Sequence, residues 1–147
     1  MTTENLSLTD LIYDITWSLQ INSIMKNIQF EHHFDADYIE INAKEEYLGT
    51  AFSNILCNAL RYATSKMIIS IESSSRSLKL TISNDGEPVS DQDLPHIFER
   101  FYKGKGGQTS IGLALTKEII EKHHGKLSVS STERETSFQL FYHSLVL

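Results

Sequence analysis

Leu8, Leu11, Ile12, Ile15 and Leu19 fall at helical intervals behind Ser7, and Ser7 with Asp10 three residues on has the spacing of a capping box. The pattern predicts a first helix from about Leu8 to Met25, with Asn27 as its stop. Ile28, Phe30, His32 and Phe34 then alternate with Gln29, Glu31 and His33, as in a half-buried strand. Asp35-Ala36-Asp37 turns the chain into a short strand, Tyr38 to Ile41. Asn42 with Glu45 repeats the capping signature at the head of a second helix, expected to run to about Tyr62.

Beyond it, Ser65 to Ile71 and Leu78 to Ser83 alternate around the polar cluster Glu72 to Ser77, which predicts a hairpin. The second of these strands runs into Asn84-Asp85-Gly86-Glu87-Pro88. Ser90 to Asp93 can cap a short helix leading into Leu94 to Tyr102, and Lys103 to Gly107 reads as a loop. Ser110 can cap a further helix through Ile111, Leu115 and Ile119 to His123, with Gly125 placed for a left-handed stop. Leu127 to Ser130 and Ser137 to Tyr142 make a closing hairpin. With hairpins and segregated helices and no βαβ series, the chain reads as α+β. The expected architecture is a two-layer α/β sandwich: one mixed, mostly antiparallel sheet with about three helices on one face.

Composition narrows this little but usefully. A chain of 147 residues, 40% hydrophobic, suits a single domain over 1–147. The net charge of -6 argues against nucleic acid or an acidic membrane as partner, since both select a basic surface. The single Cys57 excludes an internal disulfide and a Cys-rich metal site, and its core-side neighbours suggest a packed thiol. No apolar run approaches the ~20 residues of a membrane span. The opening Met-Thr-Thr-Glu-Asn lacks a signal-peptide pattern, so a cytoplasmic location is expected, with a membrane anchor in a longer parent protein left open.

Candidate chemistry concentrates in three places. On the second helix, Leu48, Phe52, Ile55, Leu56 and Ala59 share one side at about 100° per residue, while Asn54, Asn58, Arg61 and Tyr62 form a neighbouring stripe. Paired amide oxygens suit a hard cation or its waters, and Arg with a phenol suits phosphate oxygens; a merely solvated polar face is the plain alternative. Asn84-x-Gly86 puts a short polar side chain and a close-approaching backbone at a strand end, which a simple turn would also explain. The run Gly104 to Gly112 feeds a helix N-terminus suited to an anion. It departs from the Walker spacing, and alone it is a solvated loop.

In this order, and with the Phe98-x-x-Phe101-Tyr102 block, the three segments resemble the catalytic, ATP-binding domain of sensor histidine kinases, whose nucleotide fold is shared by gyrase, chaperone and mismatch-repair ATPases. Asn54-x-x-x-Asn58-Ala59-x-Arg61-Tyr62 is similar to that family's N box, and Asn84-x-Gly86 to its first glycine box. Ile97 to Lys103 is similar to its F box and Ile111-Gly112-Leu113-Ala114 to its second glycine box. The resemblance implies a histidine kinase-type ATPase fold with ATP and Mg²⁺ as cofactors. Asn58 would hold the metal and Asn54 support it, while Arg61, Tyr62 and Lys103 would meet phosphate oxygens. Asn84, with Gly86, would meet the adenine amino group. Phe98 and Phe101 would pack at the hinge of a lid over 102–110, and Ser110, Ile111, Gly112 and Leu113 would meet phosphates at the helix start. Where hydrolysing relatives carry a glutamate, Asn54 cannot take a proton from water, so hydrolysis is expected to be slow.

The chain departs from the pattern in carrying Asn84 where an aspartate is usual, Gln108 and Ser110 where glycines are common, and His124 beside Gly125. None of its six histidines sits in the family's phosphoacceptor context, and His32 and His123 read as packing residues. The resemblance therefore implies a domain excised from a longer kinase, partnered by a histidine-bearing dimerisation domain and, through it, by a response regulator. A free-standing serine kinase that restrains a sigma factor, or a degenerate docking module, are the competing readings.

Overall fold

The computed structural model describes residues 2–22, 27–102 and 111–143. A strand that the apolar pattern did not predict opens the chain. β1 (Glu4–Ser7) pairs antiparallel with β3 (Glu40–Ala43), Leu6 opposite Ile41. With one apolar residue in four, β1 is invisible to periodicity; its partner supplies the reason for its conformation. The two form a small sheet of their own, so the expected single sheet is in fact two.

Between these strands lie α1 (Leu8–Asn22) and β2 (Gln29–Phe34). Ser7 caps α1, its Oγ accepting the Asp10 N–H at 3.1 Å. The predicted last residues of this helix, up to Met25, lie outside the described residues. Asn27 has φ 53°, a left-handed conformation that Asn tolerates better than most residues.

The main sheet has the order β2-β4-β5-β7-β6, where β4 is Lys66–Ser73, β5 Ser77–Asn84, β6 Gly125–Ser131 and β7 Thr136–His143. Only the β2–β4 pair is parallel; β4–β5, β5–β7 and β6–β7 are antiparallel. Alternate residues Met67, Ile69 and Ile71 of β4, Leu80 and Ile82 of β5, and Phe138 and Leu140 of β7 are buried in one core. Into the same core α2 (Glu45–Tyr62) sends Leu48, Ala51, Phe52, Ile55, Leu56, Ala59 and Leu60, the stripe its sequence predicts. Leu8 and Ile12 of α1 and Leu113, Ile119 and Ile120 of α3 (Ile111–Lys122) complete it.

Two predicted helix ends are placed differently. Asn42 does not cap α2: it lies in β3, where its Nδ2 donates to Asn5 Oδ1 at 2.9 Å. The residue before α2 is Lys44, which offers no side-chain cap. Its own N–H donates to His123 Nε2 at 3.1 Å, while His123 Nδ1 donates to the Ile119 carbonyl at 2.9 Å. The ring is buried and bridges the end of α3 to the start of α2, so the two helices are tied across 79 residues of chain. At the end of α3 the left-handed residue is His124, φ 63°, not Gly125. Gly125 starts β6 instead, pressed so closely on Ile120 and the Phe141 carbonyl that an added Cβ would lie 2.9 and 3.0 Å from them. Ahead of α3, the predicted short helix is a single 3₁₀ turn, Leu94–His96, entered through the Asp93 N–H to Ser90 Oγ bond of 3.1 Å.

The small sheet is fastened to the large one by Tyr142, whose buried hydroxyl donates to the Asn42 carbonyl at 2.7 Å. Tyr142→Phe keeps the ring and loses that bond, so urea denaturation should show a loss of about 1 kcal/mol. Phe52→Ala opens a cavity under α2 and should cost about 3–5 kcal/mol in the same assay.

Candidate functional site

The site grows from the C-terminal half of α2. With Ile55, Leu56, Ala59 and Leu60 packed on the sheet, helical geometry turns Asn54 and Asn58 to the flank, where both are half-buried, and leaves Arg61 and Tyr62 exposed. Cys57 is exposed rather than packed, because it falls on the Asn54 side of the helix and not on the core stripe. Partial burial raises its thiol pKa, with the nearby Arg61 charge opposing.

Asn54 is met by the start of α3: its Nδ2 donates to the Gly112 carbonyl at 3.2 Å. The same carbonyl accepts from the fully buried Thr116 hydroxyl at 2.7 Å. Segments 58 residues apart in the chain are thus held side by side. Leu113 is buried in the core, so only its backbone is available to a ligand. Lys103 and Ser110, and with them Gln108 and the expected lid, lie outside the described residues, as does the Ile111 side chain.

The end of β5 closes the site from below. Asn84 is 3% exposed, and its Oδ1 accepts the Gly86 N–H at 3.0 Å. Gly86 lies against the last turn of α2, where a Cβ would sit 1.7 Å from the Tyr62 carbonyl oxygen, so no other residue fits without moving one of them. Between them Asp85 points the other way. Its Oδ1 accepts the N–H groups of Thr64, Ser65 and Lys66, each at 3.0 Å, and its Oδ2 accepts from the Ser65 hydroxyl. Burial pushes this carboxyl up, but the Ser65 hydroxyl and the Ser65, Lys66 and Thr64 amides outweigh it and hold the pKa at about 2. The clamp fixes the turn from α2 into β4. Opposite Asn84 in the register stands Thr136 of β7, buried, its hydroxyl 2.6 Å from that of Ser131.

The segment leading toward α3 is anchored by some of its aromatics only. Phe98 packs edge-on against core Phe138 at 6.3 Å, with Lys117 Nζ 5.7 Å from its ring centre. Tyr102 donates to Asp93 at 2.6 Å and stacks on His96 at 4.9 Å. Arg100 pairs with Glu118 of α3 at 3.0 Å. Phe101, expected to pack beside Phe98, is 71% exposed with φ 62°.

Asp85 and Thr136 escaped the sequence reading. Asp85 looks like a turn residue because its partners are backbone amides 19 to 21 positions earlier, and Thr136 is identified only by strand register.

Comparison with known proteins agrees with this geometry. The family described as histidine kinase-, DNA gyrase B-, and HSP90-like ATPase matches residues 43–145. The chain belongs to that family. Over 95% of its length it is 35% identical to the heme sensor protein HssS of Staphylococcus aureus strain Newman, and over 88% it is 31% identical to HssS of Staphylococcus saprophyticus. It spans about a third of each of these relatives, 35% and 32%. The catalytic domain of histidine kinase ThkA superposes with a TM-score of 0.88, at 22% identity over 98% of this chain and 99% of that one. The mycobacterial sensor histidine kinase MprB gives 0.84, at 21% identity over 97% of each chain. The domain is therefore an ATP-binding module of this ATPase family, with the fold of sensor histidine kinase catalytic domains. Among the described residues no helix is long and apolar enough to cross a membrane.

The Asp85 clamp makes a pH prediction. A carboxyl lowered to about 2 from an ordinary 3.8 contributes stability that is full above pH 3.8 and is lost as pH falls toward 2. Asp85→Asn should lower stability at pH 7 by about 1–3 kcal/mol and flatten the acid limb of the stability curve between these pH values, as read by urea melts.

Proposed function

We propose that this chain is the phosphoryl-donating half of a sensor histidine kinase: it binds ATP with Mg²⁺ and passes the γ-phosphoryl group to a histidine on a separate dimerisation domain. The Asn54–Gly112 hydrogen bond carries the reading, because it sets the amide stripe of α2 beside the start of α3 where phosphates would lie. A helix start turns backbone N–H groups and the positive end of its dipole toward an anion.

Magnesium, when bound, would neutralise phosphate charge. The residues present fit it in one way. Among the described residues no group of three or more His, Cys, Asp or Glu forms a metal cage, whereas Asn58 offers a half-buried amide oxygen on the same stripe. A single neutral oxygen suits an ion that arrives on the nucleotide and keeps several waters. Asn58 would hold that ion, with Asn54 beside it orienting water or phosphate. Arg61, Tyr62 and Lys103 would meet phosphate oxygens, Asn84 and Gly86 the base, and the backbone at Ser110, Ile111, Gly112 and Leu113 the terminal phosphates. Phe98, through its contact with Phe138, would seat the segment that covers them.

Asn54 lacks the basicity to activate water, which favours transfer over hydrolysis. With a neutral imidazole as nucleophile, catalysis reduces to positioning and charge neutralisation. A solved structure of ThkA with the response regulator TrrA, which superposes with a TM-score of 0.83, supports a response regulator as the later recipient. The domain is expected to work in the cytoplasm, as part of a longer parent protein.

Asn58→Ala should abolish Mg²⁺-dependent binding of a fluorescent ATP analogue while leaving the melting temperature nearly unchanged. Phosphate should move from ATP to an added histidine-bearing domain only when Mg²⁺ is present; transfer without the metal would refute the assignment. Cys57 provides a second readout. It is the only cysteine, exposed, and one residue before Asn58. Mg-ATP should slow its alkylation by maleimide at pH 8.5 several-fold, followed by mass spectrometry.

A further inference from the structure

We infer that Asn84 makes this site indifferent to the substituent at carbon 6 of the purine, so that it takes 6-oxopurine nucleoside triphosphates as well as ATP. The inference rests on the nucleotide reading above and concerns the buried amide at the end of β5.

Asn84 is 3% exposed, and its amide orientation is set by its neighbour. The Gly86 N–H is a donor, so the end of the amide 3.0 Å away must be the oxygen. The other end is therefore the NH₂ group. A carboxylate in the same pose would present acceptors only. It would reward a 6-amino group and repel the lone pairs of a 6-oxo group. The amide presents both kinds of partner, a second lone pair on Oδ1 for an amino hydrogen and the Nδ2 hydrogens for an oxo oxygen.

The surroundings do not restore the missing acceptor. Asp85, the adjacent carboxylate, is held by the Thr64, Ser65 and Lys66 amides and the Ser65 hydroxyl, and cannot turn to the base without giving up those bonds. The buried cross-strand neighbours of Asn84 are Thr136 of β7 and Met67 of β4. Met67 has no hydrogen-bonding obligation, and the Thr136 hydroxyl, 2.6 Å from that of Ser131, donates or accepts according to its rotation. At a side chain this buried, selectivity comes from leaving a group unpaired, and neither the Asn84 amide nor the Thr136 hydroxyl is obliged to reject an oxo oxygen.

Inosine triphosphate differs from ATP only at the 6-position and the adjoining N1, so it isolates the question. Displacement of a fluorescent ATP analogue from the full chain, with Mg²⁺, should give ATP and inosine triphosphate midpoints within about threefold of each other, and Asn84→Asp should widen the ratio to about tenfold or more in favour of ATP. Wild-type protein that binds ATP and excludes inosine triphosphate overturns this inference and leaves the nucleotide reading standing. An unchanged ratio in folded Asn84→Asp also overturns it. Displacement by neither nucleotide overturns both. If Asn84→Asp does not fold, the wild-type ratio decides alone.

Discussion

The Asp85 carboxylate, gripping three consecutive backbone amides at the turn from α2 into β4, is the contact on which the rest of the site depends. It holds the last turn of the helix over the end of β5, and Gly86 can then lie against the Tyr62 carbonyl with no room for a side chain. The carboxylate takes the three N–H groups that follow the helix, and so fixes the direction in which the chain leaves α2. Three charge-assisted bonds to one oxygen also explain why Asp85 cannot serve a ligand, although it is the only carboxylate in the Asn84-Asp85-Gly86 turn.

A second set of contacts couples α2 to α3. Near the middle of α2, Asn54 donates to Gly112; at its start, Lys44 donates to His123 at the far end of α3. Two bonds at opposite ends of α3 fix both the spacing of the antiparallel helices and their relative rotation. The energy lies elsewhere, in the apolar stripe of α2 on the alternating residues of β4, β5 and β7. The polar bonds choose one register among the several that such a stripe would tolerate. A histidine without a motif and the backbone carbonyl of a glycine hold the frame of the site.

On the proposed reading, an amide in place of a carboxylate at position 84 changes the chemistry of the site without changing its shape. Asn84 keeps the turn, because its oxygen still accepts from Gly86, and loses the obligatory acceptor that a carboxylate provides. On the proposed reading the base taken can vary in this way with no cost to the core, since the turn bond uses only one lone pair of the side chain.

The local pattern of the chain determined its helices and most of its strands, because burial on one face imposes a period that short segments display by themselves. The amide stripe of α2, the Ser7 cap and the β4–β5 hairpin are legible for that reason. Where the reading failed, the partner was remote. β1 exists because β3 is there to pair with it, Asn42 is drawn into that sheet and away from capping α2, and Cys57 and Phe101 are exposed although their neighbours pack. The order of strands, the direction in which Asp85 points, the pairing of Thr136 with Asn84 and the meeting of Asn54 with Gly112 are long-range facts. Hydrogen-bond partners 19 or more residues away leave no periodic trace in sequence, so only the folded chain decides which polar residues form the site.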